Sequence, residues 1–494
     1  MTGQDQSTTV GSLPETTTST PFAPAAFTRL VWLLWVASLG TLVARLQVGE
    51  AWDLPGLVAV DGLTVVMWVI VTFFSGIVHS YSRRYMAGSR RETQFFARVF
   101  AFTLVVMVLV AADHLALFAA AWLAMGLLMA ELIGFARGWP QAQAAASVAR
   151  RYFLASSGLL AVGLGTLWWA TGATTVSNVL AGVDTLPQSV WLVAAGALLL
   201  AAMIQSALVP FHTWLLSSMT APTPASALMH AGFVNAGGVL LVRFAPVITR
   251  DPTFMLGVVA VGATSALLGK LLKSVQSDIK SQLGCSTVGQ MGFMIMQAGL
   301  GFFGAAITHL ILHGFYKAYQ FLASGSRVER TAPTAERSTD GTPANLLVAV
   351  PTAVAGGALF ALLTGKGTAF DSGLLLALFV TLTTLRATRD IVQQTTLPAT
   401  VRYGAVPLVF LPAIAGYAAA YHLVTAALVG LPMVTAPVAL TPVHGAVAVG
   451  FVVAYLAVES GVHRQSTRLY VALLNVASPP TDTVLTTAEE YNEY

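Results

Sequence analysis

The sequence predicts an all-α, polytopic transmembrane bundle of about fourteen spans with one broken helix. Three observations predict it. Of the 494 residues 56% are hydrophobic and only 9% charged, against about 25% charged in a soluble globular chain. Mean hydropathy is +0.74, more apolar sequence than a water-soluble core of this size can absorb, so the surplus must face lipid or other helices. Apolar windows of about 20 residues recur along most of the chain, and the loops between them alternate in basic content.

Residues 1–25 are rich in Thr, Ser and Pro without apolar periodicity, which predicts a disordered tail. The tail lacks the basic start and early apolar run of a cleaved signal peptide, so the first apolar stretch is expected to remain as a span. Spans are expected at roughly 27–47, 58–80, 95–112, 114–135, 152–171, 187–209, 223–247, 254–274, 278–300, 302–324, 345–364, 369–386, 404–427 and 441–462. The half-polar stretch 210–222, with Pro210, Pro222 and Pro224 at or near its ends, predicts a helix break. Residues 325–344 are polar and rich in Ser, Thr, Pro and Gly, the composition of a linker. This divides the chain into a helical core over 26–324 and a four-helix block over 345–462. The tail 463–494 ends in Glu489, Glu490, Tyr491, Glu493 and Tyr494, an acidic aromatic segment suited to docking.

Basic residues sit after even-numbered spans: Arg83, Arg84, Arg90 and Arg91, then Arg137, Arg150 and Arg151, then Lys273 and Lys280. Arg327, Arg330 and Arg337, Arg389 and Arg402, and Arg464 and Arg468 continue the pattern. Odd loops hold acids such as Glu50, Asp53 and Asp184. The positive-inside rule then places both termini in the cytoplasm of a cell inner membrane.

Composition also excludes function classes. A lone cysteine, Cys285, excludes an intrachain disulfide, a cysteine zinc site and a cysteine-bound iron–sulfur cluster. No GxGxxG or GxxxxGK[ST] run is present. The net charge of +4 comes without aromatic interleaving and does not mark a nucleic-acid surface. No nucleophile–base set or metal cluster is visible, so no enzyme and no cofactor is expected in this chain.

Ionisable residues inside spans cost at least ~2.5–3.5 kcal/mol each and normally face a bundle interior or a hydrated cavity. Here they are Asp61, Glu131, His230, Lys270, His309, His313, Lys317, Asp371 and Glu459. His309, His313 and Lys317 recur at i, i+4 and i+8 in HLILHGFYKAYQF. That spacing sets them on one helix face about 6 Å apart, too far for direct bonds among all three and suited to relay through water. The alternative is a polar seam joining helices. His230, in PTPASALMHAGFVNAGG, follows a double-proline break and lies near Asn235, where a hydrated centre is tolerated. His212, in VPFHTWLL, also sits by a break; it is either functional or interfacial, with Trp214 as an anchor. Asp61 either caps its helix or acts, and Lys366 and Asp371 form either an exit gate or an ordinary interfacial pair. His422, His444 and Glu459 have no partner at fixed spacing and are expected to be structural.

These residues carry a resemblance. VPFHTWLLSSMTAPTPASALMHAGFVNAGG, SDIKSQLGCSTVGQMGFM and HLILHGFYKAYQFLASGS resemble the core of antiporter-like subunits of respiratory complex I and Mrp-type cation/proton antiporters. VDGLTVVMWVIVTFFSGIVHSYSRRYM is similar to the early segment of that family. Within it, HAGFVNAGGVLLVRFAP and FYKAYQFLASGS look most like the DabB-type membrane subunit of an inorganic-carbon pump. The resemblance implies a large cytoplasmic DabA-type partner with a carbonic-anhydrase-like zinc site, and proton or Na+ flow that drives CO2 hydration to bicarbonate. It implies that His230, His309, His313 and Lys317 line the proton path. The family's Trp-Glu is Trp122-Leu123 here, which leaves Glu131, eight residues on, as a substitute from the same face. The lysine of its broken helix is Gln205, and Lys366 is the remaining candidate for its later-span lysine. An antiporter or complex I-type subunit, and a scaffold that anchors an enzyme, are the alternatives.

Overall fold

The computed structural model describes residues 22–49, 52–327, 343–393, 398–428, 430–461 and 466–483. The expected tail (over 1–21), the linker (over 328–342), the acidic end (over 484–494) and Glu50, Arg330, Arg337 and Arg464 lie outside the described residues.

The chain is a helical bundle. In order it forms α1 (Phe22–Val48), α2 (Gly62–Tyr85), α3 (Glu92–Ala111), α4 (Leu115–Ile133), α5 (Pro140–Thr171) and the short α6 (Val176–Ala181). It continues with α7 (Gln188–Gln205), α8 (Thr213–Ser217), α9 (Thr223–Ala231), α10 (Ala236–Arg243) and α11 (Ala245–Thr249). Then come α12 (Pro252–Ser274), α13 (Ile279–Gly299), α14 (Phe303–Leu322), α15 (Pro343–Thr364), α16 (Gly373–Val392), α17 (Val406–Ala427), α18 (Pro442–Glu459) and α19 (Thr467–Ala477). Side chains that satisfy free backbone N–H groups start several of them: Asp61 caps α2, Asp251 α12 and Asp278 α13.

Among the described residues, eleven helical segments are long and apolar enough to cross a membrane, which makes this a multi-pass membrane protein. The expected count of fourteen is not established. The helices α13, α14 and α16, of 20 or 21 residues, fall outside the eleven. Each is enriched in polar or charged positions, such as His309, His313 and Lys317 on α14. One strand pair escaped the sequence reading. Trp52–Leu54 and Val58–Val60 pair antiparallel, with Trp52 opposite Val60. Pro55 and Gly56 turn the chain between them, and Gly56 takes the left-handed φ of 76° that such a turn favours.

Two breaks shape the middle of the bundle. Helix α7 ends at Gln205, short of the expected 209, because Ala207 adopts φ 53° and Pro210 cannot continue the hydrogen-bond ladder. Between α9 and α10 the chain passes through Gly232 and a 3-10 turn over Phe233–Asn235. Asn235 Nδ2 donates to the Ala231 carbonyl at 2.7 Å, so the break is stabilised from within. An aromatic core locks both breaks: Phe153 lies edge-on to Trp214 and Phe233, with centroids 4.8 and 4.7 Å away.

Helices α12 and α13 meet backbone to backbone along Gly262, Gly269, Gly289 and Gly292. A Cβ at Gly269 would fall 2.3 Å from the Gly289 nitrogen and 2.6 Å from its Cα, neither of which can rotate away. Replacing Gly269 with Leu should therefore separate the pair and destabilise the fold by roughly 1–3 kcal/mol. Thermal unfolding in detergent checks this; an unchanged midpoint would show that the close approach is dispensable.

Candidate functional site

The centre of the site is built from three neighbouring helices, α9, α13 and α14. Helix α14 presents His309, His313, Lys317 and Phe321 on one face, one turn apart. The His309 and His313 rings lie 5.9 Å apart and nearly parallel, at 13°. Opposite them, His230 occupies the last turn of α9, at the break, and stacks on Phe321 at 4.2 Å. Gly314 permits this approach: a Cβ there would sit 2.5 Å from the Phe74 ring and 3.0 Å from the Ala231 carbonyl.

Helix α13 closes the group. Lys317 Nζ donates to the Leu283 carbonyl oxygen at 2.8 Å. Thr287 Oγ1 donates to the same oxygen at 2.9 Å and lies 3.0 Å from His230 Nδ1. Having given its only proton to Leu283, the threonine hydroxyl must accept from His230. The network therefore assigns the proton to Nδ1 and leaves the Nε2 lone pair open. Lys317, the Leu283 carbonyl, Thr287 and His230 form one continuous polar connection between α14 and α9.

The group is buried and under-satisfied. His230 and Lys317 are 0% exposed and His313 is 5% exposed. His230 Nε2, His309 Nε2 and both His313 ring nitrogens have no hydrogen-bond partner among the described residues. Lys317 has no carboxylate within ion-pair distance among them either. Buried polar atoms are normally satisfied, so this concentration of open nitrogens along one face is the chemical signature of the site. The nitrogens offer donors and acceptors along one face, and an imidazole or an amine can gain or lose a proton.

The same line extends toward the far end of α14. Gln297 on α13 lies beside Tyr417 on α17, with its Oε1 unpartnered among the described residues. One turn on, the Tyr421 ring lies under Lys366 Nζ at 2.9 Å, with Phe302 and Phe360 at 5.7 and 6.0 Å. Lys366 is 4% exposed and its ammonium has only ring faces as neighbours, with no hydrogen-bond acceptor among the described residues. It makes no ion pair with Asp371, which instead caps Gly373 N at 2.8 Å and bridges to Ala439. Of the two readings of their positions, an exit gate or an interfacial pair, the pair does not form.

Other expectations are corrected by where the side chains lie. Glu131 is not a buried substitute for a glutamate at 123. It is 43% exposed and paired with Arg98 at 3.5 Å and Arg150 at 3.1 Å. Its arginine partners, from α3 and α5, hold it on the exposed side of α4. Trp122, by contrast, is buried and donates to Ser156 at 3.1 Å. His212 is 3% exposed, with Nε2 bonded to the Val476 carbonyl at 2.9 Å. Trp214 is 0% exposed and donates to the Ile204 carbonyl, so it is a core residue and not an interfacial anchor. Gln205 is 0% exposed with both amide atoms unpartnered among the described residues.

Asp61 caps α2 through Thr64 N at 2.9 Å, and it also pairs with Arg243. Arg243 further donates to Thr64 Oγ1 and the Val110 carbonyl. Glu459 is not solitary: Arg386 and Arg389 reach it at 3.1 and 3.0 Å. His422 bonds the Leu363 carbonyl at 2.7 Å and His444 caps Thr441. Sequence reasoning missed Thr287, which needs three-dimensional neighbours to be noticed. It also passed over Arg243, although an arginine in an apolar run is itself a signal for a buried partner.

Comparison with known proteins follows this geometry. Residues 112–386, more than half of the chain, match the family described as NADH:quinone oxidoreductase/Mrp antiporter, TM. Residues 47–96 match the complex I chain 5 N-terminus. A probable inorganic carbon transporter subunit DabB1 of Halothiobacillus neapolitanus is 37% identical over 313 residues, covering 61% of this chain and 54% of that protein. The corresponding DabB of Bacillus subtilis is 36% identical over 63% of this chain and 62% of its own length. An NADH-quinone oxidoreductase subunit L of Mycobacterium tuberculosis is 37% identical over 54% of this chain and 43% of its own. The chain thus spans about half the length of curated relatives it matches. The fold is similar to that in a structure of the Mrp complex from Dietzia sp. DQ12-45-1b, with TM-score 0.60, 22% identity, and 92% of this chain and 56% of that one covered. With its broken helices, its polar α13–α14 face and a family match over residues 112–386, this chain belongs to the NADH:quinone oxidoreductase/Mrp antiporter family of membrane subunits.

Proposed function

We propose that this protein is the membrane subunit of an energy-coupled inorganic-carbon pump and conducts protons, or another cation, through the α13–α14 face. The single observation that carries this reading is the buried connection from His230 through Thr287 and the Leu283 carbonyl to Lys317, continued by His313 and His309. Such a row is costly in packing terms, since it leaves polar nitrogens unpaired and an ammonium without a carboxylate. Its cost is explained if protons occupy it in turn. Protons enter past Lys366, Tyr417 and Gln297, pass His309 and His313, and leave by Lys317 and His230 on the cytoplasmic side. Each charge crossing 100 mV releases about 2.3 kcal/mol. That energy drives hydration of CO2 to bicarbonate on a cytoplasmic, zinc-containing DabA-type partner.

Basic loops after even-numbered spans support an orientation with both termini in the cytoplasm of the cell inner membrane. The inorganic-carbon subunits among the relatives support the substrate. A second reading, a cation/proton antiporter or complex I-type subunit, is favoured by the similarity to subunit L. Gln205 and Leu123 weigh against it, because they remove the buried lysine and glutamate that the resemblance leads one to expect in the first half.

Two outcomes follow. Lys317→Met keeps chain length and removes an unpaired buried charge, so the thermal midpoint should stay level or rise by a few degrees, about 1 kcal/mol or less, while ion conduction falls at least tenfold. A fall of the midpoint by more than five degrees or so would make the lysine a structural element. His313→Ala and Lys317→Ala should each abolish growth at ambient CO2, in cells that depend on this uptake, with the complex still assembled on affinity purification. Unimpaired growth of both variants defeats the relay. Co-purification of a zinc-containing partner separates the pump from the antiporter.

A further inference from the structure

At the end of the bundle where α12 finishes, a cluster of cations lies outside the relay. Helix α16 contributes Arg386 and Arg389, and both bond Glu459 at the end of α18, at 3.1 and 3.0 Å. Arg389 also donates to the Tyr455 hydroxyl, and Arg386 pairs with Asp390 at 3.8 Å. Beside them, Lys270 and Lys273 are exposed in the last turns of α12, which packs on α18 through Leu267 against Gly450. Neither Lys270 nor Lys273 has a hydrogen-bond or ion-pair partner among the described residues. Four cations therefore share two carboxylates.

From this cluster an apolar surface leads into the span. Val449, Val453 and Leu456 of α18 are 57–62% exposed, and only His444 of that helix is buried among its described residues. The ligand that matches both features carries a negative charge at one end and is apolar along about two turns of helix. We propose that the face where α12 and α16 meet α18 binds an anionic phospholipid, its phosphate beside Lys270, Lys273 and the Arg386–Arg389 pair and its acyl chains along α18. Ammonium groups bind phosphate as point charges, and basic pockets between transmembrane helices hold anionic headgroups. An acidic protein surface or a free phosphate would use the cations and leave the apolar strip uncovered. This inference stands independently of the relay.

Native mass spectrometry of the purified full chain tests it, with dioleoyl-phosphatidylglycerol, dioleoyl-phosphatidylcholine and inorganic phosphate as separate probes. The wild type should retain phosphatidylglycerol in preference to phosphatidylcholine, and inorganic phosphate should neither bind nor compete. Lys270→Gln combined with Lys273→Gln should weaken phosphatidylglycerol binding about thirtyfold, from ~1 kcal/mol per basic residue at the surface. The Lys270→Arg, Lys273→Arg variant should retain it, which guards against misfolding of the glutamine variant. Equal retention by wild type and glutamine variant, competition by inorganic phosphate, or an acidic polypeptide in place of lipid would each overturn the proposal.

Discussion

The structure turns on an ammonium held inside an apolar bundle by a helix carbonyl. Lys317 lies on the Leu283 oxygen, and the same oxygen takes the Thr287 hydroxyl. A carbonyl in a helix interior already serves the backbone ladder, so its extra bonds are weak substitutes for a carboxylate. The ammonium is therefore sheltered without being neutralised. Around it, α9 must end at Gly232 so that His230 can face Thr287, and Gly314 must lack a side chain so that α9 can reach α14. Both conditions are packing conditions, and the site inherits its precision from them.

Paired and unpaired charges are divided sharply in space. Asp61–Arg243, Glu131 with Arg98 and Arg150, and Glu459 with Arg386 and Arg389 are all matched. They hold helix ends together. Lys317 and Lys366, the two buried lysines, have no carboxylate partner among the described residues, one bound to a carbonyl and the other to aromatic faces. Buried charge that merely stabilised the bundle would be paired, as in these three groups. The unpaired lysines mark the two ends of the α13–α14 polar face.

Much of this was legible in the sequence, for identifiable reasons. The helical membrane class followed from composition, and the His309–His313–Lys317 face from helix periodicity, since the spacing of one helix is set locally. His230 was legible because a double proline announces a break. The misreadings were all tertiary. Glu131 was assigned to the wrong face because its arginine partners come from α3 and α5, which periodicity cannot see. The interfacial alternative for His212 and Trp214 fails: an indole by a break suits either place, and Phe153 and Phe233 decide it. Thr287 had no signal at all: a threonine in a helix is ordinary until a histidine from another element reaches it. The hairpin at 52–60 is too short for a strand pattern and was readable only from Pro55–Gly56.

The central claim is that the α13–α14 face carries charge across the bilayer. The most direct test is potential-driven flux into liposomes holding the purified protein with its partner, followed by an internal pH dye as a potassium diffusion potential is imposed. The account predicts acidification of the lumen that a proton ionophore short-circuits and that requires Lys317. A lumen pH that stays flat, with no other cation entering in its place, would contradict it.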